Sequence, residues 1–544
     1  MKPYPFTFPP ASGQPLAITN ATVIPMDRPG TLDHHTVVIE DGWIKAVEPA
    51  GNVATDNMQV VDASGKYLLP ALADMHVHYW MPGDTALFLA NGVTTVRNMS
   101  GAPFHLALQQ QVITRQSPGP RIVTTSPTLE ADAFNLPMWK YVDDPQEVHQ
   151  LVAKYVVRGY QQIKVLNLIN AETLHALGKA CRENHVRLTG HCPHAVTFEE
   201  AIAAGMSCFE HLLGIWKGHL REGFAPNGQS NVVLDVVEAM ADHLDYDAIR
   251  RLAGQMAAQQ IWNCPTLVTD QFMHMPQQQG LTHPIIEPRL PYVPQLVLPL
   301  WEILDSSQRK GEHKTRWLDA IQRRSEASLN IVNILHQEGA PLLVGTDTSV
   351  RFVIQGFSVH DELENFVRAG LTPFAAIRCA TSEPARFLGL EAEFGTIAQN
   401  KRADLVLVDE NPLERIAALR KIDALFVNGF QLTRADLDAL LGQQTSVAQD
   451  KWIETIAFGG ADKDDSAALI SSGTLVELSG VTTMGKLFYQ HERLTGGGWQ
   501  IEERREFEQN SIYEIGGRRA CDHARISGGP TRKERPRNRR LFCR

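Results

Sequence analysis

The residues able to do chemistry sit in a few short stretches, and the first is LLPALADMHVH over residues 68–78. A short apolar run ends there in His76-Val77-His78. In a buried strand the side chains alternate faces, so His76 and His78 point the same way. Two imidazoles on one face at a strand end suit the holding of a cation, although an H-x-H pair alone is as readily a hydrogen-bonded pair. Lys164 lies in QIKVL, with Ile163 and Val165 on the opposite face. A lysine directed into a protein interior is costly as an ammonium unless it is paired or modified. Carbamylated by carbon dioxide it becomes a carboxylate that could bridge two cations; an internal ion pair is the other reading. His191 and His211 end the apolar stretches RLTGH and MSCFEH, and imidazole is the commonest protein ligand for a metal such as zinc. His194 and Glu210 adjoin them and suit either orienting the ligands or meeting a substrate. Asp347, in LLVGTDTS, adds a carboxylate that could ligate an ion and shuttle protons. Two divalent ions about 3.5–4 Å apart would make a hydroxide available near neutral pH, because metal binding lowers the pKa of water to about 7.

Such residues need elements that bring their strand ends together. From about residue 68 to 380, short apolar strands alternate with helical segments, the pattern of a parallel sheet built of β-α units. Eight strands are expected, at 68–75, 93–98, 121–125, 162–166, 186–191, 206–211, 261–267 and 341–347. Helices are expected at 147–158, 171–184, 198–204, 247–260 and 316–338. That count is the count of a TIM-type (β/α)8 barrel, whose chemistry sits at the C-terminal strand ends. His76, His78, Lys164, His191, His211 and Asp347 all fall at that end, on five different strands. The stretch 269–315, rich in Pro, Gln and His and weakly periodic, reads as a lid or substrate wall.

The flanks have a different character. Residues 16–50 alternate as short strands with turns at Asp27-Arg28-Pro29-Gly30 and Asp41-Gly42. Residues 395–432 return to strand and turn and are expected to pack with them. The expected organisation is therefore 1–69 and 391–435 as two parts of a composite β-sandwich, 70–390 as the barrel, and 436–544 as an extension. Within that extension, TLVELSG, KLFYQHERL and GWQIEERREF suit a small β unit. The last stretch, 518–544, carries ten Lys or Arg against two acids and reads as a solvated tail or an altered terminus rather than a nucleic-acid arm.

Composition narrows the class. A chain of 544 residues, 43% hydrophobic and 21% charged, reads as an ordinary globular protein. No run approaches the roughly 18 consecutive apolar residues of a membrane helix, and the opening MKPYPFTFPPASGQP has no apolar core of a secretory signal. Seven widely spaced cysteines without a C-x-x-C pair argue against a disulfide framework and for a reducing cytoplasm. A net charge of −10 gives no reason to expect a nucleic-acid partner. A small-molecule substrate is expected, and a homo-oligomer stays open.

The order H-x-H, Lys, His, His, Asp on strands one, four, five, six and eight resembles the amidohydrolase superfamily. ALFLANGVTTVRNM, AIAAGMSCFEHLLG and the run HDELENFVRAGLTPFAAIRCATSEPARFLGLEAEFGTIAQNKRADLVLVDENPLERI are similar to its characteristic stretches. The resemblance covers roughly residues 16–435 and is nearest to the imidazolonepropionase-like and prolidase-like hydrolases. It implies a distorted barrel with a composite β-sandwich, a pair of divalent metals, usually zinc, and hydrolysis at a carbonyl. Carried over, His76 and His78 would bind the first metal with Asp347, and His191 and His211 the second. Lys164, bearing a carboxylate derived from carbon dioxide, would bridge them, and Asp347 would take the proton from the nucleophile and pass it to the leaving amine. Asn400 stands where that superfamily commonly has glycine; asparagine tolerates the left-handed conformation such a turn needs. The segment after 436 has no counterpart in the pattern.

The leading expectation is hydrolysis of a C–N amide bond in a dipeptide, an N-acyl amino acid or a cyclic amide. The same metal site acting on a lactone, ester or phosphoester is the alternative. A mononuclear deaminase fits less well, since Lys164 would then have no duty and GHCPH lacks a nearby acid. A non-catalytic scaffold is the remote reading, disfavoured because all six candidate ligands are present. Substrate contacts are expected among His194, Arg97, Arg351 and Tyr79, with Trp80, Trp216, Thr266 and His360 also near strand ends; an arginine there could bind a carboxylate bidentately or serve as a barrel ion pair.

Overall fold

The computed structural model describes residues 14–449 apart from 80–82, 115–118, 132–137, 225–233, 274, 276–279, 294–297, 299–300, 302–311 and 349, and the strands beyond 455. The chain forms two compact units, residues 1–449 and 450–544.

The first unit is built on a closed ring of parallel staves. Leu72–Val77 pairs with Val93–Asn98, and that strand with Arg121–Thr124. A bridge from Thr125 to Gln162 leads to Gln162–Val165. Arg187–Gly190, Met206–Glu210 and Trp262–Cys264 follow in parallel register. The eighth position, expected as a strand over 341–347, closes the ring through isolated bridges, Asn263 to Leu342 and Val77 to Thr348. Its irregularity has a steric cause: a Cβ on Gly345 would lie 2.4 Å from the Cys264 sulfur and 2.7 Å from the His76 nitrogen. The backbone comes too close to strands one and seven for a pleated strand with side chains on both faces. Helices lie between the staves near the expected positions, among them Val148–Arg158, Ala171–Glu183, Phe198–Ala204, Tyr246–Gln259 and Glu312–Gln337. Their starts carry the expected caps: the Asn170 side chain accepts from the Thr173 amide, and Thr197 and Glu200 form a reciprocal capping box.

One expected element divides. The stretch 68–75 is two strands, because the chain changes sheets at Pro70-Ala71. Tyr67–Pro70 runs antiparallel to Leu405–Val408, whereas Leu72–Val77 is the first stave. The hydrogen bonds switch within one residue: the Ala71 amide donates to Asp404 (2.9 Å) and the Leu72 amide to Gly92 (2.9 Å). The eight-stranded sheet so entered is composite. It runs Phe430–Thr433, Ile422–Val427, Leu405–Val408, Tyr67–Pro70, Leu16–Val23, Leu32–Glu40 and Trp43–Pro49, with Gln59–Asp62 beside Leu16–Val23. Ile18, Val23, Val37, Ile44, Leu68, Leu405, Leu407 and Phe426 form its core, each such burial contributing about 1.5–3 kcal/mol. Asn400 has φ +66°, the left-handed conformation its turn required. The helix Arg434–Gln449 belongs to this unit, with the Gln444 side-chain amide donating to the Tyr292 carbonyl at 3.4 Å, so the unit ends about fourteen residues beyond the expected 435.

Taken by itself, the second unit contains an antiparallel sheet of Ile456–Ala457, Leu475–Val481, Leu487–Thr495 and Gly498–Phe507. The basic stretch 518–544 lies outside the described residues.

A buried carboxylate fastens the closing segment to the first stave. Asp74 accepts hydrogen bonds from the Thr346 amide (3.0 Å), the Thr346 hydroxyl (2.6 Å) and the His76 amide (3.3 Å). Burial pushes its carboxyl up to about 7, against the pull of those donors. Asp74→Ala strands the buried His76 amide and the Thr346 hydroxyl and is expected to destabilise the first unit by about 2–4 kcal/mol; denaturant unfolding followed by tryptophan fluorescence measures this, and an unchanged midpoint refutes the latch.

Candidate metal centre

Parallel staves place their C-terminal ends on one rim, and the six predicted ligands are found there. His76 and His78 leave the first stave on the same face, and their Nε2 atoms lie 3.2 and 3.1 Å from Asp347 Oδ1. His211 Nε2 lies 3.9 Å from Asp347 Oδ2. Ring centroids are 4.7 Å apart for His76 and His211 and 4.9 Å for His191 and His211. Lys164 is buried on the fourth stave; burial brings its amine down to about 8, against the opposing pull of Asp347 and Glu210. His211, Leu212, Thr266 and Asp347 all have φ between +49° and +63°. Four left-handed non-glycine residues at strand ends of this rim mark backbone held out of its preferred basins to aim side chains.

The far side of three imidazoles is tied back, each to an oxygen of a different kind. His76 Nδ1 donates to Glu210 Oε2 at 2.7 Å and His191 Nδ1 to Asn167 Oδ1 at 2.9 Å, and His211 Nδ1 pairs with Thr266 Oγ1 at 2.6 Å. Those partners are anchored in turn. Glu130 accepts from the Asn167 and Leu168 amides (3.0 and 2.8 Å), fixing the loop after stave four. Glu362, from the helix Phe357–Arg368, accepts from the Leu267 and Val268 amides (2.9 and 2.7 Å), fixing the turn that carries Thr266.

Where Nδ1 donates, Nε2 presents a lone pair. His76 Nε2 is buried without a hydrogen-bond donor, and its neighbour at 3.2 Å is a carboxylate oxygen that can only accept. A positive charge held between the imidazole nitrogens and the carboxylate suits this arrangement. The donor set of imidazole and carboxylate therefore fits divalent ions such as zinc. His76, His78 and Asp347 each offer a ligand atom, and these lie within 4.8 Å of one another. A second such group is His76, Glu210 and Cys264. Burial holds the imidazoles neutral, His78 down to about 4, His211 to about 3 and His191 well below its ordinary value. For Asp347 burial opposes the charge, and the neighbouring His76 together with hydrogen bonds from His76 and His78 outweigh it, holding the carboxyl well below its usual range.

The expected substrate residues fare differently. Arg97 is fully buried beneath His76; its Nη2 donates to Glu210 at 2.9 Å and its Nε to the Met75 carbonyl at 2.5 Å. Its expected substrate contact is replaced by this internal pairing, because every stave around it is packed and Glu210 needs a counter-charge. Arg351 is also buried, donating to the Met273 carbonyl at 2.9 Å and stacking over Phe352. Tyr79 is buried with its hydroxyl on Thr85. His360 bonds the Asn91 carbonyl at 3.0 Å, and Trp216 packs under Arg324. His194 is half-buried three residues beyond His191, its amide on the Asn167 carbonyl at 2.8 Å. Trp80 lies outside the described residues. Sequence reasoning missed Asp74, Glu130, Asn167 and Glu362; a polar residue directly after an apolar stave, as at Asn167, was the available signal.

The chain is similar in structure to bottromycin amidohydrolase, with 24% identity over 80% of this chain and 90% of that one and a TM-score of 0.64. It is similar to a Xaa-Pro dipeptidase with methionine bound in its active site, at 19% identity over 77% of this chain and 100% of that one, with a TM-score of 0.57. These likenesses establish a common fold. In sequence, 68 residues are 46% identical to dihydroorotase from Lactobacillus helveticus, 12% of this chain, and the match spans only 14% of that relative's length. Residues 67–432, from the strand that enters the barrel to the last strand of the composite sheet, match the amidohydrolase family, and the chain belongs to it.

Proposed function

We propose that this protein is a metal-dependent hydrolase that cleaves a C–N amide bond in a small molecule such as a dipeptide, an N-acyl amino acid or a cyclic amide. The observation that carries the reading is the convergence of the Nε2 atoms of His76, His78 and His211 on Asp347, an imidazole and carboxylate set that suits divalent cations. The similar structures include an amidohydrolase and a dipeptidase, and the short sequence match is to an enzyme named for a cyclic amide, which favours this bond over lactones and esters.

His76 and His78, with Asp347, would hold one divalent ion, and His191 and His211 a second. Lys164, as a carboxylate formed with carbon dioxide, would bridge them; its amine, brought down to about 8 by burial, is more often in the neutral form that reaction needs. Zinc suits the imidazole-rich set. When bound, such ions polarise the substrate carbonyl and make water acidic enough to attack near neutral pH. Asp347 accepts the proton of the attacking water and delivers it to the departing amine. Its low proton affinity keeps it ionised and ready at working pH. The tied Nδ1 atoms keep His76, His191 and His211 from rotating during turnover. His194, half-buried three residues beyond His191, would meet the substrate. Five buried free thiols, Cys181, Cys192, Cys208, Cys264 and Cys379, suit the reducing cytoplasm.

The deciding assay is amine release from dipeptides, N-acyl amino acids and cyclic amides by zinc- and bicarbonate-reconstituted protein. Asp347→Asn is expected to lower kcat by about 10²–10⁴-fold. Turnover confined to lactones or esters would move the bond, and activity that survives in Asp347→Asn would remove Asp347 from the proton path. Lys164→Ala is expected to bind one equivalent of zinc or less; elemental analysis that finds two tightly held ions would end the bridging assignment.

A pH effect follows from the neutral imidazoles. In the unfolded chain a histidine takes up a proton near 6.5, whereas folded His78 resists protonation down to about 4. Its folded pKa is depressed, so the associated stability is complete above about 6.5 and is lost as pH falls toward 4. The thermal midpoint of the metal-free protein is expected to fall through that window and to fall less steeply in His78→Gln; equal slopes would exclude His78 as a source.

A further inference from the structure

We infer that Glu210, charge-balanced by Arg97, is a positioning residue that fixes the His76 imidazole with Nε2 toward the cavity and thereby sets how tightly the centre holds its ions. The inference rests on the metal-hydrolase reading above and adds to it a pair of residues with no place in the cavity.

The three tied imidazoles differ in the charge of their partner. His191 and His211 pair with the neutral oxygens of Asn167 and Thr266, whereas His76 donates to a carboxylate at 2.7 Å. A carboxylate behind an imidazole locks its tautomer and strengthens the lone pair on the opposite nitrogen. Glu210 keeps that charge inside a fully buried site because Arg97 pairs with its other oxygen at 2.9 Å, and the Thr189 hydroxyl donates to the same oxygen at 3.2 Å. Arg97 is itself held by the Met75 carbonyl, adjacent in sequence to His76, and lies over the Phe387 ring at 5.0 Å. Staves two and six thus grip the first stave from below.

The same geometry settles what the second ligand-like group does. His76, Glu210 and Cys264 could enclose an ion by distance, but the Arg97 guanidinium already supplies the positive charge there, and a further cation would meet it across one carboxylate. The group supports the centre from beneath.

Two variants of the full chain test this without stranding a buried charge. Glu210→Asp keeps the partner of Arg97 but is one methylene too short to pair with Arg97 and reach His76 together. Glu210→Gln with Arg97→Gln removes both charges at once. Zinc affinity is read by competition with a chromophoric chelator, thermal unfolding of the metal-free forms reports folding, and the visible spectrum of the cobalt-substituted forms reports ligand geometry. Glu210→Asp is expected to unfold cooperatively, to bind zinc roughly 10–100-fold more weakly and to shift the cobalt bands. The double variant is expected to lose affinity in the same range. Either variant, folded, with wild-type zinc affinity and an unaltered cobalt spectrum overturns the inference. Wild-type protein that takes up no zinc overturns the metal-hydrolase reading itself, and the two failures are thereby distinguished.

Discussion

The convergence of three imidazoles on one carboxylate is the condition around which this molecule is arranged. The Nε2 atoms of His76 and His78 stand 3.1–3.2 Å from one oxygen of Asp347, and that of His211 stands 3.9 Å from the other. In water such groups would be solvated individually. In the interior they repel unless positive charge lies among them. Tying Nδ1 of three imidazoles back to Glu210, Asn167 and Thr266 removes the alternative in which the rings turn their lone pairs away.

Holding that arrangement requires a scaffold in which the ends of non-adjacent strands meet, and a closed parallel barrel supplies it. Closure at the eighth position is where regular geometry gives way. Gly345 lets the chain approach Cys264 and His76, Asp74 fastens Thr346, and Asp347 then turns through a left-handed conformation. The irregular segment is thus the one that delivers the carboxylate. The same trade occurs after staves six and seven, where His211, Leu212 and Thr266 adopt positive φ and Glu362 secures the turn. Strain of this kind persists because surrounding hydrogen bonds over-determine it.

Beneath the ligands the protein buries a full ion pair, Arg97 with Glu210. Such pairs rarely add net stability over apolar packing of the same volume, so their value lies in orientation. Here the pair stands directly behind His76, and its effect reaches the cavity through one imidazole. The buried Arg289–Asp361 pair, at 2.5 Å, does comparable work at a distance from the centre, joining Glu287–Tyr292 to the helix Phe357–Arg368. Arg420, at the end of the 3-10 turn Ile416–Arg420 between two strands of the composite sheet, adds a link to the same carboxylate at 2.8 Å.

By itself the sequence determined the barrel, the composite sheet and which residues converge at the rim. Those are properties of local pattern: apolar runs at β-α spacing place strands, and a polar residue that ends such a run lies near the C-terminal rim. Legible for the same reason were most helix positions, whose caps at Asn170 and Thr197 are local, and the turn at Asn400. Tertiary structure alone decided which side of each imidazole faces the cavity, since Glu210, Asn167 and Thr266 reach their histidines across staves. It also decided that Arg97 turns inward to Glu210 instead of outward to a substrate, because a side chain at a strand end gives no sign in sequence of the charge buried beside it. The division of 68–75 between two sheets was equally hidden: consecutive apolar residues look alike in sequence, and only the partners available on either side of Pro70-Ala71 separate them.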